Sequence, residues 1–143
     1  MITRIDVSKI EASRETQEAI MNMKFNINFD GVKVNKEDVD VAFTFTAVYE
    51  TGTSPSDAKQ VGKLTIAGNV ISKEAKKDAD DIKSTWESKK TLPLNFAEDV
   101  INILNFECGA RGTLVAYSIG FVAPLPISRA KLQEGANSQS SVS

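Results

Sequence analysis

Residues 95–119, NFAEDVINILNFECGARGTLVAYSI, decide the fold. At about 100° per residue, Phe96, Ala97, Val100, Ile101, Ile103, Leu104, Phe106, Cys108, Ala110, Leu114, Val115 and Tyr117 spread over more than half the circumference of one helix, while Asn95, Glu98, Asn102, Asn105, Gly109 and Thr113 share a narrow polar strip. A helix that merely covers one sheet needs a narrower stripe. The surplus apolar surface calls for a second partner, either a neighbouring subunit or a bound chain, and directs the reading toward assembly or binding rather than catalysis. Asn95 with Glu98 gives a capping-box-like start, and Gly120 a terminator.

The chain then runs Gly120-Phe121-Val122-Ala123-Pro124-Leu125-Pro126-Ile127. Pro124 and Pro126 forbid continued helix and hold 123–127 extended. An apolar arm of this kind is a liability in open water, so it should dock on its own subunit or on a neighbour. Residues 133–143 carry too little apolar content to fold and read as a flexible Ser-rich tail, leaving 1–132 as a single domain.

Upstream the period changes from helical to two. Phe25, Ile27 and Phe29 alternate with polar neighbours, and Asp30-Gly31 permits a turn or bulge before Val32 and Val34. Val39, Val41, Phe43, Phe45, Ala47 and Tyr49 share one face of the clearest strand, and 62–71 alternates again through Leu64, Ile66, Gly68 and Val70. Short connections imply antiparallel pairing of these strands in sequence order. Residues 2–20 are ambiguous: Ile5, Val7 and Ile10 suit an edge strand, whereas 13–20 suits a helical turn or two. A polar helix follows over 73–89, with Ala75, Ala79, Ile82 and Trp86 as its thin apolar seam. Strands come first and helices afterwards, so the fold class is α+β.

Composition excludes several function classes. A hydrophobic fraction of 41% with 25% charged residues matches a globular domain, and no stretch reaches the roughly 20 apolar residues of a membrane span. Asp6, Glu11 and Glu15 do not suit a signal peptide, and the expected location is cytoplasmic. The chain has no histidine, hence neither the commonest general base nor the usual zinc ligand. Cys108, the only cysteine, lies on the apolar arc and reads as a small buried hydrophobe rather than a nucleophile. A net charge of -2 with interspersed signs gives no basic face for nucleic acid. Asp78, Asp80 and Asp81 project in different directions from a helix, so no metal or cofactor is expected. Glu107 and Arg111 interrupt the arc at i,i+4 and can pair. They lie either at the edge of the burial or inside a seam where a symmetry mate satisfies them.

The order of segments resembles the SecB-like export chaperone family. Residues 7–11, 24–29, 39–48 and 62–71 are similar to its four strands, and 96–127 to its long helix and the Gly-Phe-Pro-rich loop after it. The resemblance implies an antiparallel four-stranded sheet covered by a long C-terminal helix, in a non-enzymatic homotetramer whose long helices pack at the centre. It also implies outer apolar grooves for unfolded or precursor polypeptides, with service to a secretion motor, to a toxin–antitoxin pair or to some other client. On that reading Val100, Leu104, Glu107, Arg111 and Leu114 are expected at the oligomer interface, and Trp86, Phe121, Val122, Leu125 and Ile127 at the client groove. The same arm residues could instead complete the core. An exposed strand edge could add client by β-augmentation. The competing expectation is an oligomeric scaffold of the same architecture without clients.

Overall fold

The computed structural model describes residues 1–52, 56–121 and 139–142. Four long strands, β1 (Ile2–Arg14), β2 (Asn22–Asn35), β3 (Asp38–Thr51) and β4 (Lys59–Lys73), are followed by α1 (Lys76–Lys89), α2 (Leu94–Ser118) and a short β5 (Gln139–Val142). All strand pairs are antiparallel, in the spatial order β1-β4-β3-β2-β5. The fold is therefore α+β, a four-stranded antiparallel sheet extended by one short strand and covered by a long helix near the C-terminal end.

Alternation sets the two faces of this sheet. On β3, Val39, Val41, Phe43, Phe45, Ala47 and Tyr49 are buried, whereas Asp40, Ala42, Thr44, Thr46, Val48 and Glu50 are half-buried on the opposite face. Phe25, Ile27, Leu64, Ile66 and Val70 extend the inner face across β2 and β4, where it meets Ala79 and Ile82 of α1 and Val100, Ile101 and Leu104 of α2 in one buried cluster. β2 and β3 are joined by the two-residue turn Lys36-Glu37, in which Lys36 takes φ 58°.

The ambiguous N-terminal stretch is strand throughout Ile2–Arg14. Its register against β4 shifts between Ile2 and Arg4 and again between Val7 and Lys9. Each bulge moves the inward positions by one, so Ile5 and Val7 pack on the core from odd positions and Ala12 from an even one. A plain period of two is thereby erased from the sequence. Gly68 sits opposite this irregular stretch, where a Cβ would lie 2.1 Å from the Asp6 carbonyl oxygen. Only glycine permits so close an approach of two strands.

β1 and β2 lie on opposite sides of the β4-β3 pair, so residues 15–21 cross the end of the sheet. Arg14 braces that crossing: its guanidinium donates to the carbonyls of Thr16 (2.8 Å) and Glu18 (3.1 Å), and to that of Gly120 (3.0 Å) beyond α2. Phe121 lies beneath it, 5.5 Å from the guanidinium carbon.

Helix ends differ in detail from expectation. The N-cap of α2 is Pro93, not Asn95, and it has no side-chain cap bond; its carbonyl accepts from Ala97 N–H at 2.8 Å. The C-terminus closes as a Schellman motif: Gly120 takes φ 76°, Phe121 N–H donates to Ala116 O at 2.8 Å and Gly120 N–H to Tyr117 O at 3.3 Å. One further difference concerns the expected Ser-rich tail. Within 133–143, residues Gln139–Val142 form β5 on the edge of β2, because that edge offers unpaired backbone N–H and C=O groups to any extended segment.

Candidate interaction surface on helix α2

The broad apolar arc of α2 resolves into two stripes on opposite sides of the helix. One is spent on the chain's own core: Ala97, Val100, Ile101, Leu104, Cys108 and Ala116 are buried, and Asn105, Gly109 and Gly112 are buried beside them. Asn105 and Gly109 belong to the narrow polar strip of the sequence pattern. The other stripe faces outward. Phe106 is 69% exposed, Leu114 80% and Tyr117 78%, with Ala110 exposed and Ile103 half-buried between them. Their spacing, 103-106-110-114-117, keeps them on one side of the helix.

Of the residues expected at a subunit interface, Val100 and Leu104 are 0% exposed within their own chain. Within the single chain the sheet already removes both from water. Glu107, Arg111 and Leu114 remain outside. Arg111 Nε lies 3.7 Å from Glu107 Oε2, with both side chains more than a third exposed, so the pair sits at the edge of burial and contributes a few tenths of a kcal/mol at most. Ile103, Phe106, Ala110 and Tyr117 replace Val100 and Leu104 as outward partners of Leu114. Their legible signal is a heptad-like spacing offset from that of the sheet-facing positions.

Of the residues expected at a client groove, the two that are described, Trp86 and Phe121, pack on their own chain's core. Trp86 is half-buried on α1, packed against the core, with Lys90 Nζ 5.8 Å from its ring centroid. Phe121 is 4% exposed and stacks on Tyr49 with ring centroids 4.1 Å apart, so it completes the core rather than lining an open groove. Val122, Leu125 and Ile127 lie outside the described residues. Phe121 reaches its place through Gly62, where a Cβ would lie 2.1 Å from its Cζ.

The lone thiol and the Tyr49 phenol are both enclosed by this arrangement. Cys108 is buried, and desolvation pushes its thiol up from 9.0 to about 12, the Arg111 charge opposing this and the Glu107 charge adding to it. Burial likewise raises the Tyr49 phenol from 10.0 to about 12. Both groups bind their protons more tightly folded than unfolded, so the stability they carry is complete below the unfolded values and is lost as pH rises through the folded ones. Chemical denaturation at fixed temperature is expected to give a midpoint that is flat from pH 7 to about 8.5 and falls steeply between about 9 and 12. A thiol reagent at pH 8 should label Cys108 only in denaturant; rapid labelling of the native chain would contradict its burial.

Among the described residues, no cluster of three or more His, Cys, Asp or Glu could hold a metal ion, and no helix is long and apolar enough to cross a membrane. A shallow depression lined by Ile10, Glu11, Ala12, Ser13, Lys63 and Thr65 lies along β1 and β4. Ser13 there has no histidine in the chain to activate it. In comparisons with known proteins, the sequence matches no family model and no curated relative.

Proposed function

We propose that this chain is a non-enzymatic, homo-oligomeric chaperone of SecB-like type, which holds unfolded or precursor polypeptides in the cytoplasm. One observation carries the reading: the outward stripe of Ile103, Phe106, Ala110, Leu114 and Tyr117 on a helix whose opposite side already covers its own sheet. Fully burying a side chain such as Phe or Leu is worth about 1.5–3 kcal/mol, so a helix carrying several of them in the open is built to meet another surface. A second copy fits, since Ala110 at the middle of the stripe lets two antiparallel α2 helices approach closely and the larger side chains interdigitate on either side of it. The order of four antiparallel strands followed by a long helix supports the same reading through the resemblance given above.

In the proposed assembly the α2 stripes form the central seam in a tetramer, and clients are held on the outside. Delivery to a secretion motor, service to a toxin–antitoxin pair and protection of some other client are the routes open to such a chaperone. Sedimentation equilibrium is expected to give four chains per particle, and a substoichiometric amount of protein should suppress light scattering by a chemically denatured client as it is diluted from denaturant. A stable monomer would remove the seam. A sharp oligomer that leaves the scattering unchanged would make the protein a scaffold of this architecture instead.

A further inference from the structure

The two edges of the sheet are built differently. β1 carries ion pairs along its edge, Arg4 Nε to Asp6 Oδ2 at 2.9 Å and Lys9 Nζ to Glu11 Oε2 at 3.4 Å, and two register irregularities. Charges and bulges are the devices that stop further strands from adding to an edge. β2 lacks them where it begins: its register with β3 is unbroken from Asn22 to Phe29, and the irregularity comes only between Phe29 and Gly31. Lys24, the one charged residue in that stretch, is drawn toward Glu50 across the neighbouring strand at 3.0 Å.

This open stretch is where β5 lies, with Met23 opposite Val142, Lys24 opposite Ser141, Phe25 opposite Ser140 and Asn26 opposite Gln139. The edge therefore takes an extended polypeptide in antiparallel register, and its own chain supplies a short one. A strand of four residues makes few ladder bonds, and ordering it offsets much of what they contribute.

We infer that the β2 edge from Asn22 to Phe29 is the acceptor for an extended segment of client polypeptide, and that β5 is a displaceable placeholder occupying it in the resting chain. The inference rests on the chaperone reading and names the conformation in which a client is held. Directly opposed residues of an antiparallel pair share a face. An incoming segment therefore places its side chains opposite Phe25 and Ile27 on the helix-covered side, and those opposite Lys24, Asn26 and Asn28 on the open side. The preferred client segment alternates apolar and polar residues over six or more positions and outcompetes β5 by its length.

The probe is a fluorescein-labelled ten-residue peptide of alternating Val and Thr with lysine ends, beside the same peptide N-methylated on alternate backbone amides. Deleting 139–143 is expected to tighten binding of the plain peptide roughly tenfold, the release from an edge occupied nine-tenths of the time. The N-methylated peptide should not bind. A chain with Asn26→Cys and Gln139→Cys, which stand opposite one another, should lose peptide binding when oxidised and regain it on reduction. Equal affinities for the full and shortened chains, equal binding of the two peptides, or undiminished binding by the oxidised chain would overturn the inference. If the full chain still suppresses client aggregation while these fail, the acceptor edge falls and the chaperone reading stands. If the peptide binds as described but no client is protected, the edge stands and the chaperone reading falls.

Discussion

Replacing Phe121 by Ala is expected to cost about 3–5 kcal/mol of folding stability, a large share of what a domain of this size possesses. The ring is 4% exposed and stacked on Tyr49 at an interplanar angle of 22°, with the Arg14 guanidinium carbon 5.5 Å from its centroid. Removing it strips cover from Tyr49, which is 0% exposed, and leaves a cavity at the end of the sheet that the crossing segment spans. Gly62→Ala attacks the same point from below. The new methyl would lie 2.1 Å from Phe121 Cζ and 2.5 Å from the Ser13 carbonyl oxygen. The ring can move, but the carbonyl belongs to β1, so we expect a loss of about 2 kcal/mol or more. Urea denaturation of the two single variants and the double variant checks this. Because both act through the same contact, the double variant should be more stable than the sum of the singles predicts, by about 0.5–3 kcal/mol; strict additivity would mean that Gly62 and Phe121 do not share the site described.

The second large effect separates the two sides of α2. Leu104→Ala should lower stability by about 3–5 kcal/mol, as for a leucine fully enclosed between helix and sheet. Leu114→Glu should leave the unfolding midpoint of the isolated chain nearly unchanged, within about 0.5 kcal/mol, because that side chain is 80% exposed. In the proposed oligomer its effect falls on assembly. In a seam of paired α2 helices, a glutamate without a partner costs several kcal/mol to desolvate, so the particle should fall apart into smaller folded species. Circular dichroism with sedimentation velocity reads both quantities on one sample. Disassembly by the Leu104 variant while folded, or an unaltered particle with the Leu114 variant, would assign the two stripes the other way round.

How far the sequence revealed this arrangement depends on whether each element keeps a constant period. β3 was legible because its alternation runs uninterrupted from Val39 to Tyr49, and β4 nearly so. β1 was not, since two bulges reset the phase and its inward residues change from odd to even positions. α2 was legible as a helix, yet its surface was misallocated. The apolar residues were counted as one arc, whereas small residues carry much of the buried side: Gly109 and Gly112 are buried along with the polar Asn105, and Phe106, Leu114 and Tyr117 are left outside. Hydropathy ranks a glycine below a leucine, but close packing ranks them by size. Trp86 and Phe121 were singled out as conspicuous aromatics, and both turned out to pack on their own chain's core. The placement of β5 was illegible for another reason. Its composition gives no drive to fold, and its position is set by an edge formed more than a hundred residues earlier in the chain.

The crossing segment that joins β1 to β2 also shapes the order in which the molecule can be built. β2, β3 and β4 are consecutive and pair with their neighbours in sequence, so their contacts close short loops. Pairing β1 with β4, from Arg14 opposite Gly62 to Ile2 opposite Ser72, instead closes a loop that contains the whole of β2 and β3. Such closure carries the larger entropic cost and comes late. Arg14 ties β1, the crossing and the residues beyond α2 into one knot of hydrogen bonds, so a chain that loses this knot is expected to keep its central meander while exposing the edge of β4.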